Sequence, residues 1–190
     1  MIDDLNQYND IDEENLLEDI INKFGKEVII DFNQLNDTGV ILFQNMIEKE
    51  LSRVEDIIYR NTIDNLTEDE DIRFDSHNIT LANAMYIIDY VVYGSLLKTY
   101  FNDLLLFEHS DESVRKFIKD TKITLDPILI GFYQMHLIKS MINREIDHIR
   151  EVIQSMKIDK EELSEDENEI IETSNNFVSF ISNISDNIRL

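Results

Sequence analysis

The sequence lacks cysteine and tryptophan, and it has one proline, four glycines and two alanines among its 190 residues. The absence of cysteine excludes disulfide bonds and thiolate metal sites, and it favours a reducing compartment. So few glycines leave little room for the glycine-rich loops that cradle phosphates. The first residues are acidic and carry no basic and apolar leader pattern, so we expect a cytoplasmic protein, in the host cytoplasm if it is viral.

Basic residues are also scarce, because 17 Lys and Arg face 40 Asp and Glu for a net charge of −23. A direct nucleic-acid binder needs basic side chains to displace counterions from phosphate. Anionic membrane surfaces attract the same side chains. We therefore expect no direct nucleic-acid contact, no membrane contact and instead a basic protein partner, such as a nucleic-acid-binding enzyme.

The negative charge is concentrated in three acidic segments, residues 1–19, 64–75 and 159–172. One interpretation is a solvated surface that aids solubility. The other is a surface that imitates the charge of nucleic acid and pairs with the Lys and Arg of an enzyme. On that interpretation the candidate partner-binding residues are Asp64, Glu68, Asp69, Glu70, Asp71, Asp75, Glu161, Glu162, Glu165, Asp166, Glu167 and Glu169.

The most apolar stretch runs from Ile79 to Phe107 and is apolar on nearly every side of a helical wheel. Such a pattern is typical of a buried helix. Charged residues recur within it at Asp89, Lys98 and Asp103, so it does not fit a membrane span. We predict an all-α fold, a single domain over residues 1–190 in which five or six helices surround this central helix, about residues 79–107.

Amphipathic patterns mark the surrounding helices. Asp126 followed by Pro127 is a strong start signal, and Ile128 and Phe132 are predicted on the inner face of the helix that begins there. The segment Val28 to Phe32 could be a β-branched strand or the start of a helix turn, and we expect a helix or an extended linker because no convincing partner strand is evident. The predicted helices are residues 13–24, Val40 to about Leu66, a short helix capped by Ser110, Pro127 to about Met156, and a last helix capped by Asp159.

No residue pattern predicts catalysis, a metal site or a cofactor site. Glu145 and His148 match the E-x-x-H unit of ferritin-like di-iron sites, but the second copy that such sites need is missing. Arg144 and His148 have three residues between them, whereas HEPN ribonucleases have four to six. The loop Asp64–Asp75 lacks the central glycine of an EF-hand. We predict that the chain is not an enzyme; either enzyme class would need Arg144, Glu145 and His148 to converge in a cleft.

Three functions are compatible with this pattern. The first is an inhibitor that mimics nucleic acid, such as a phage anti-CRISPR or anti-restriction protein. The second is an immunity protein or antitoxin that neutralises a basic toxin. The third follows from the arrangement of helices around an apolar one, which is similar in plan to the Bcl-2 fold although the Asn-Trp-Gly-Arg signature is absent. That likeness implies an apolar groove beside the Ile79–Phe107 helix that binds a partner helix.

Overall fold

The computed structural model describes residues 26–64, 76–109, 111–158 and 163–189. These residues form an all-α bundle with a small two-stranded sheet, so the predicted fold class is confirmed. None of their helices is long and apolar enough to cross a membrane. The predicted helix 13–24 lies outside the described residues. The elements are β1 (Val28–Asp31), a 3-10 turn (Phe32–Gln34), α1 (Asp37–Asp64), α2 (Ser76–Phe101), a 3-10 helix (Leu104–His109), α3 (Glu112–Asp120), β2 (Lys122–Leu125), α4 (Pro127–Ile130), α5 (Phe132–Lys157) and α6 (Glu165–Asn187).

The helix at the centre of the bundle is α1, which packs against α2, α5 and α6. Its predicted inner stripe is buried at Val40, Phe43, Ile47 and Val54. The ring of Phe43 contacts four other phenylalanine rings at centroid distances of 5.2 to 6.4 Å. Most of these contacts are edge-to-face, which suits the quadrupoles of aromatic rings. The four partner rings are Phe32, Phe101, Phe177 and Phe180.

The structure differs from the expected burial of the Ile79–Phe107 helix, because the described residues cover α2 on one face only. Tyr90, Tyr93, Leu97 and Phe101 are buried, and this face packs on α1. The opposite face is open to solvent. An apolar pattern all round a helix does not distinguish a helix surrounded by its own chain from one with a free face, which is why the sequence alone suggested burial. The exposed side chains of that face are Met85, Ile88, Val91 and Val92.

The prediction for Val28 to Phe32 is wrong, because the first four of these residues form a strand. β1 pairs antiparallel with β2, and Val28 lies opposite Leu125. An ion pair of 3.0 Å between Lys122 and Asp31 joins the other end of the two strands. The partner strand is only four residues long and lies far along the chain, so no local alternation of apolar and polar residues revealed it.

The predicted helix from Pro127 to Met156 is interrupted at Gly131, whose backbone has φ 90° and ψ 150°. That break separates α4 from α5 and shifts the helical phase between them. Ile128 and Phe132, predicted on the inner face, are therefore exposed. From Met135 onward the predicted inner positions are buried up to Ile149.

Of three predicted helix starts, one is confirmed and two differ from the observed N-caps, by one residue and by five residues. The Asp126 start is confirmed, since its carboxylate accepts a hydrogen bond of 2.8 Å from the Ile128 amide. The N-cap of α3 is Asp111 instead of Ser110. The N-cap of α6 is Ser164 instead of Asp159, because a complete capping box forms there. Asp159 itself lies outside the described residues.

Candidate functional site

The structure describes the side chains of four of the predicted partner-binding acids, Glu165, Asp166, Glu167 and Glu169. All four lie in the first turns of α6. Asp64 is the last residue of α1, and only its backbone is described. The remaining predicted acids, Glu68, Asp69, Glu70, Asp71, Asp75, Glu161 and Glu162, lie outside the described residues.

The start of α6 gives some of these acids a local role. The hydroxyl of Ser164 accepts a hydrogen bond of 3.3 Å from the Glu167 amide, and the Glu167 carboxylate accepts one of 3.0 Å from the Ser164 amide. This reciprocal pair satisfies two amides that the helix leaves without partners. Glu165 and Asp166 lie at the positive end of the helix dipole, which negative side chains stabilise. Glu167 is therefore part of the helix start.

A stripe of three exposed carboxylates follows one side of α6. Glu165, Glu169 and Glu172 are spaced by four and then three residues, so they share a helix face and lie about 6 and then about 4.5 Å apart along the axis. All three are exposed. None of the ion pairs between described residues involves them. We call these residues the α6 stripe.

The basic side chains of the bundle are largely paired within the chain. Eight Lys and Arg side chains form ion pairs with described carboxylates. Their positive charge is thus neutralised locally, whereas the α6 stripe faces solvent. The paired bases are Lys49, Arg53, Arg60, Lys98, Lys119, Lys122, Arg144 and Arg150.

A network of charges joins α1 to α5 around the buried carboxylate of Glu50. Arg53 donates two hydrogen bonds to it, of 2.8 and 2.7 Å, and Arg144 donates a third of 2.7 Å. Beside it, Lys49 pairs with Glu145 at 2.9 Å. A buried carboxylate needs such partners, because an unpaired charge away from water is strongly destabilising. This network was not predicted from the sequence, although Glu50 inside the apolar stripe of α1 was a signal for it.

The same residues line a cleft of 310 Å³ between α1 and α5. Arg144, Glu145 and His148 converge there, which was the arrangement required of an enzyme. Arg144 and Glu145, however, are both held in ion pairs that connect the two helices. No group of three or more His, Asp or Glu side chains in the described ranges could hold a metal ion. The chemistry that the geometry supports at this cleft is the electrostatic joining of α1 to α5.

Tyr93 lies next to this network and is fully buried. Its hydroxyl makes no hydrogen bond of standard geometry to a described group, although the Glu50 carboxylate lies near enough to accept a weak one. Burial raises the pKa of Tyr93, and the negative charge of Glu50 raises it further. The phenol therefore stays neutral to high pH as long as the chain is folded.

Two clusters of large apolar side chains are exposed. The first is the exposed face of α2 described above, Met85, Ile88, Val91 and Val92, which we call the α2 face. The second surrounds the break at Gly131, and we call it the α5 patch. Burial raises the pKa of Tyr133 most, and the negative charges of Tyr90 and Asp89 raise it further. Because Tyr90 and Asp89 belong to α2, the α5 patch lies close to α2. The α5 patch consists of Ile128, Leu129, Phe132 and Tyr133.

The chain matches no protein-family model, no curated protein and no solved structure. Its two apolar clusters and the α6 stripe are therefore the features on which a function can be argued.

Proposed function

We propose that this chain is an acidic protein-interaction protein that binds a basic partner protein, and that the α2 face is the contact surface. The observation that carries this proposal is the exposure of four large apolar side chains, 46 to 60 % exposed, over two turns of one helix. Single exposed apolar residues are ordinary, but a contiguous apolar patch on a soluble protein commonly marks a binding site. A helix of the partner, apolar on one side, would fit such a face.

The charge around the α2 face indicates the chemistry of the partner. Asp89 lies on α2 between Met85 and Val92 in the sequence. The acidic segment 64–75 connects α1 to α2 and ends at the residue before Ser76. A partner helix with Lys and Arg near one end would therefore be attracted to this surface. A second copy of the chain is disfavoured, because two molecules of net charge −23 repel each other.

The test compares three substitutions on the α2 face with three at isolated exposed positions. The face variant carries Met85→Gln, Ile88→Gln and Val92→Gln. The control carries Tyr59→Gln, Phe117→Gln and Ile170→Gln, whose side chains are 66, 64 and 53 % exposed. Neither set changes the net charge. A partner captured from host lysate is purified, and its affinity is measured by calorimetry.

We expect the face variant to lose at least about 100-fold in affinity, because central apolar contacts dominate interface energies. The control should bind like the unchanged chain. Binding through this face should also survive a wash at high salt, because apolar contacts are not screened. Equal affinities of the two variants for the partner would reject the α2 face as the contact.

The α6 stripe supports a second candidate, a nucleic-acid mimic that occupies the basic groove of an enzyme or a basic toxin. Its three carboxylates project from one helix side, and a strand of DNA carries a charge about every 3.4 Å of its axis. Reversal by Glu165→Lys, Glu169→Lys and Glu172→Lys tests it. The charge-matched control is Glu112→Lys, Asp120→Lys and Glu151→Lys. Loss of a salt-sensitive complex in the first set alone would favour an anti-restriction, anti-CRISPR or immunity function over binding at the α2 face.

A further inference from the structure

The α5 patch has the most exposed large apolar side chain of the described residues, Leu129 at 76 %. It also includes Ile128, Phe132 and Tyr133 within six consecutive residues. We infer that residues 13–24 of the same chain dock on this patch as an amphipathic helix. This inference does not depend on the proposed function, which uses the α2 face.

The entry point of β1 puts the α5 patch within reach of the residues that precede it in the chain. Val28, the first residue of β1, lies opposite Leu125, the last residue of β2. The chain therefore enters β1 at the end of the sheet where β2 leads into α4. Phe24 precedes Val28 by four residues, which span at most about 14 Å of extended chain. Ile128 and Leu129 follow Leu125 after three and four residues, so the patch lies within reach of Phe24.

The composition of residues 13–24 is complementary to the patch. As a helix the segment would be about 18 Å long, with its apolar residues on one side. Its charged residues are four acids and Lys23. The apolar residues of the segment are Leu16, Leu17, Ile20, Ile21 and Phe24.

A disulfide test is direct, because the chain has no cysteine of its own. The test chain carries Ile20→Cys with Leu129→Cys, and the control carries Asn22→Cys with Leu129→Cys. Asn22 lies on the opposite side of the same helix and is nearer to the patch along the chain. We expect an intrachain disulfide in the test chain to form at least about tenfold faster under mild oxidation, because the bond needs close and specific geometry.

Two other results would overturn the inference. Equal rates in the two chains would mean that only the tether brings the cysteines together. A disulfide between two molecules, identified with isotope-mixed protein, would mean that a second copy occupies the patch.

Hydrogen exchange on the full chain gives a second, independent measurement. The docking variant carries Leu17→Asp and Ile21→Asp, and its control carries Asn15→Asp and Asn22→Asp, with the same change in charge. We expect the amides of residues 128–135 to exchange at least about tenfold faster in the docking variant alone. Unchanged exchange at residues 40–54 would show that the bundle itself is intact. Identical exchange at residues 128–135 in both variants would contradict the docking.

Discussion

At the scale of single residues, the buried hydroxyl of Tyr93 is the clearest target for a prediction. It makes no hydrogen bond of standard geometry to a described group, and a buried hydroxyl without a well-placed acceptor is destabilising. We expect Tyr93→Phe to raise the free energy of unfolding at pH 7 by about 1 kcal/mol. Urea denaturation measures this change, with Tyr59→Phe as the exposed control. A loss of more than about 1 kcal/mol would indicate a hydrogen bond to this hydroxyl.

The same residue should shape the alkaline stability of the chain. Its pKa is raised in the folded state, so the unfolded chain loses this proton at lower pH than the folded chain does. The stability contribution is complete below the unfolded pKa of about 10 and is lost as pH rises above it. Tyr93→Phe removes this contribution, so stability should fall less steeply between pH 9 and pH 11 in the variant.

Residue-scale features were predictable only where they are local in the chain. The bond from Arg53 to Glu50 joins residues three positions apart, which any helical wheel places side by side. The bond from Arg144 to the same carboxylate depends on how α5 packs on α1, and no periodicity contains that information. The acids of the predicted partner surface were recognisable as a charge cluster, whereas the capping role of Glu167 required the true start of α6.

At the scale of helices and strands, the break between α4 and α5 depends on one glycine. The φ of 90° and ψ of 150° at Gly131 fall in a region that is nearly restricted to glycine. We expect Gly131→Ala to lower the free energy of unfolding by about 1–3 kcal/mol, measured by urea denaturation. A Cβ there would lie 3.0 Å from the Gln134 amide oxygen, the end of a flexible side chain. The cost should therefore persist in a Gln134→Ala background; its disappearance there would assign it to that contact.

Helix positions were predicted well, because apolar periodicity is a local property of the sequence. This helix was predicted to begin at Val40, and α1 begins three residues earlier, at Asp37. The relative placement of the helices was not predictable in the same way. α1 carries a buried glutamate and looked like a surface helix, yet it contacts α2, α5 and α6. The sequence predicted α2 as the central helix, but one of its faces is exposed to solvent. Apolar residues that form an interface and apolar residues that form a core produce the same sequence pattern.

At the scale of the whole molecule, two electrostatic effects oppose each other. The exposed ion pairs between described residues, those apart from Glu50 and Glu145, each contribute about 0–1 kcal/mol and weaken with salt. The excess of 40 acids over 17 bases makes the folded chain repel itself, and salt screens that repulsion as well. We expect the repulsion to dominate. Raising NaCl from 0.02 to 0.5 M should then increase stability by about 1 kcal/mol, or about 2–4 °C in Tm.

The matched variant for this prediction is Glu169→Gln with Glu172→Gln. These residues lie beyond the first turn of α6, so their removal leaves the capping box and the charges nearest the helix dipole in place. Because the variant carries less negative charge, its Tm should be higher at low salt and should rise less as salt is added. Thermal denaturation at several salt concentrations measures both effects. A Tm that falls with salt in the unchanged chain would mean that the ion pairs around Glu50 and Glu145 outweigh the acidic excess.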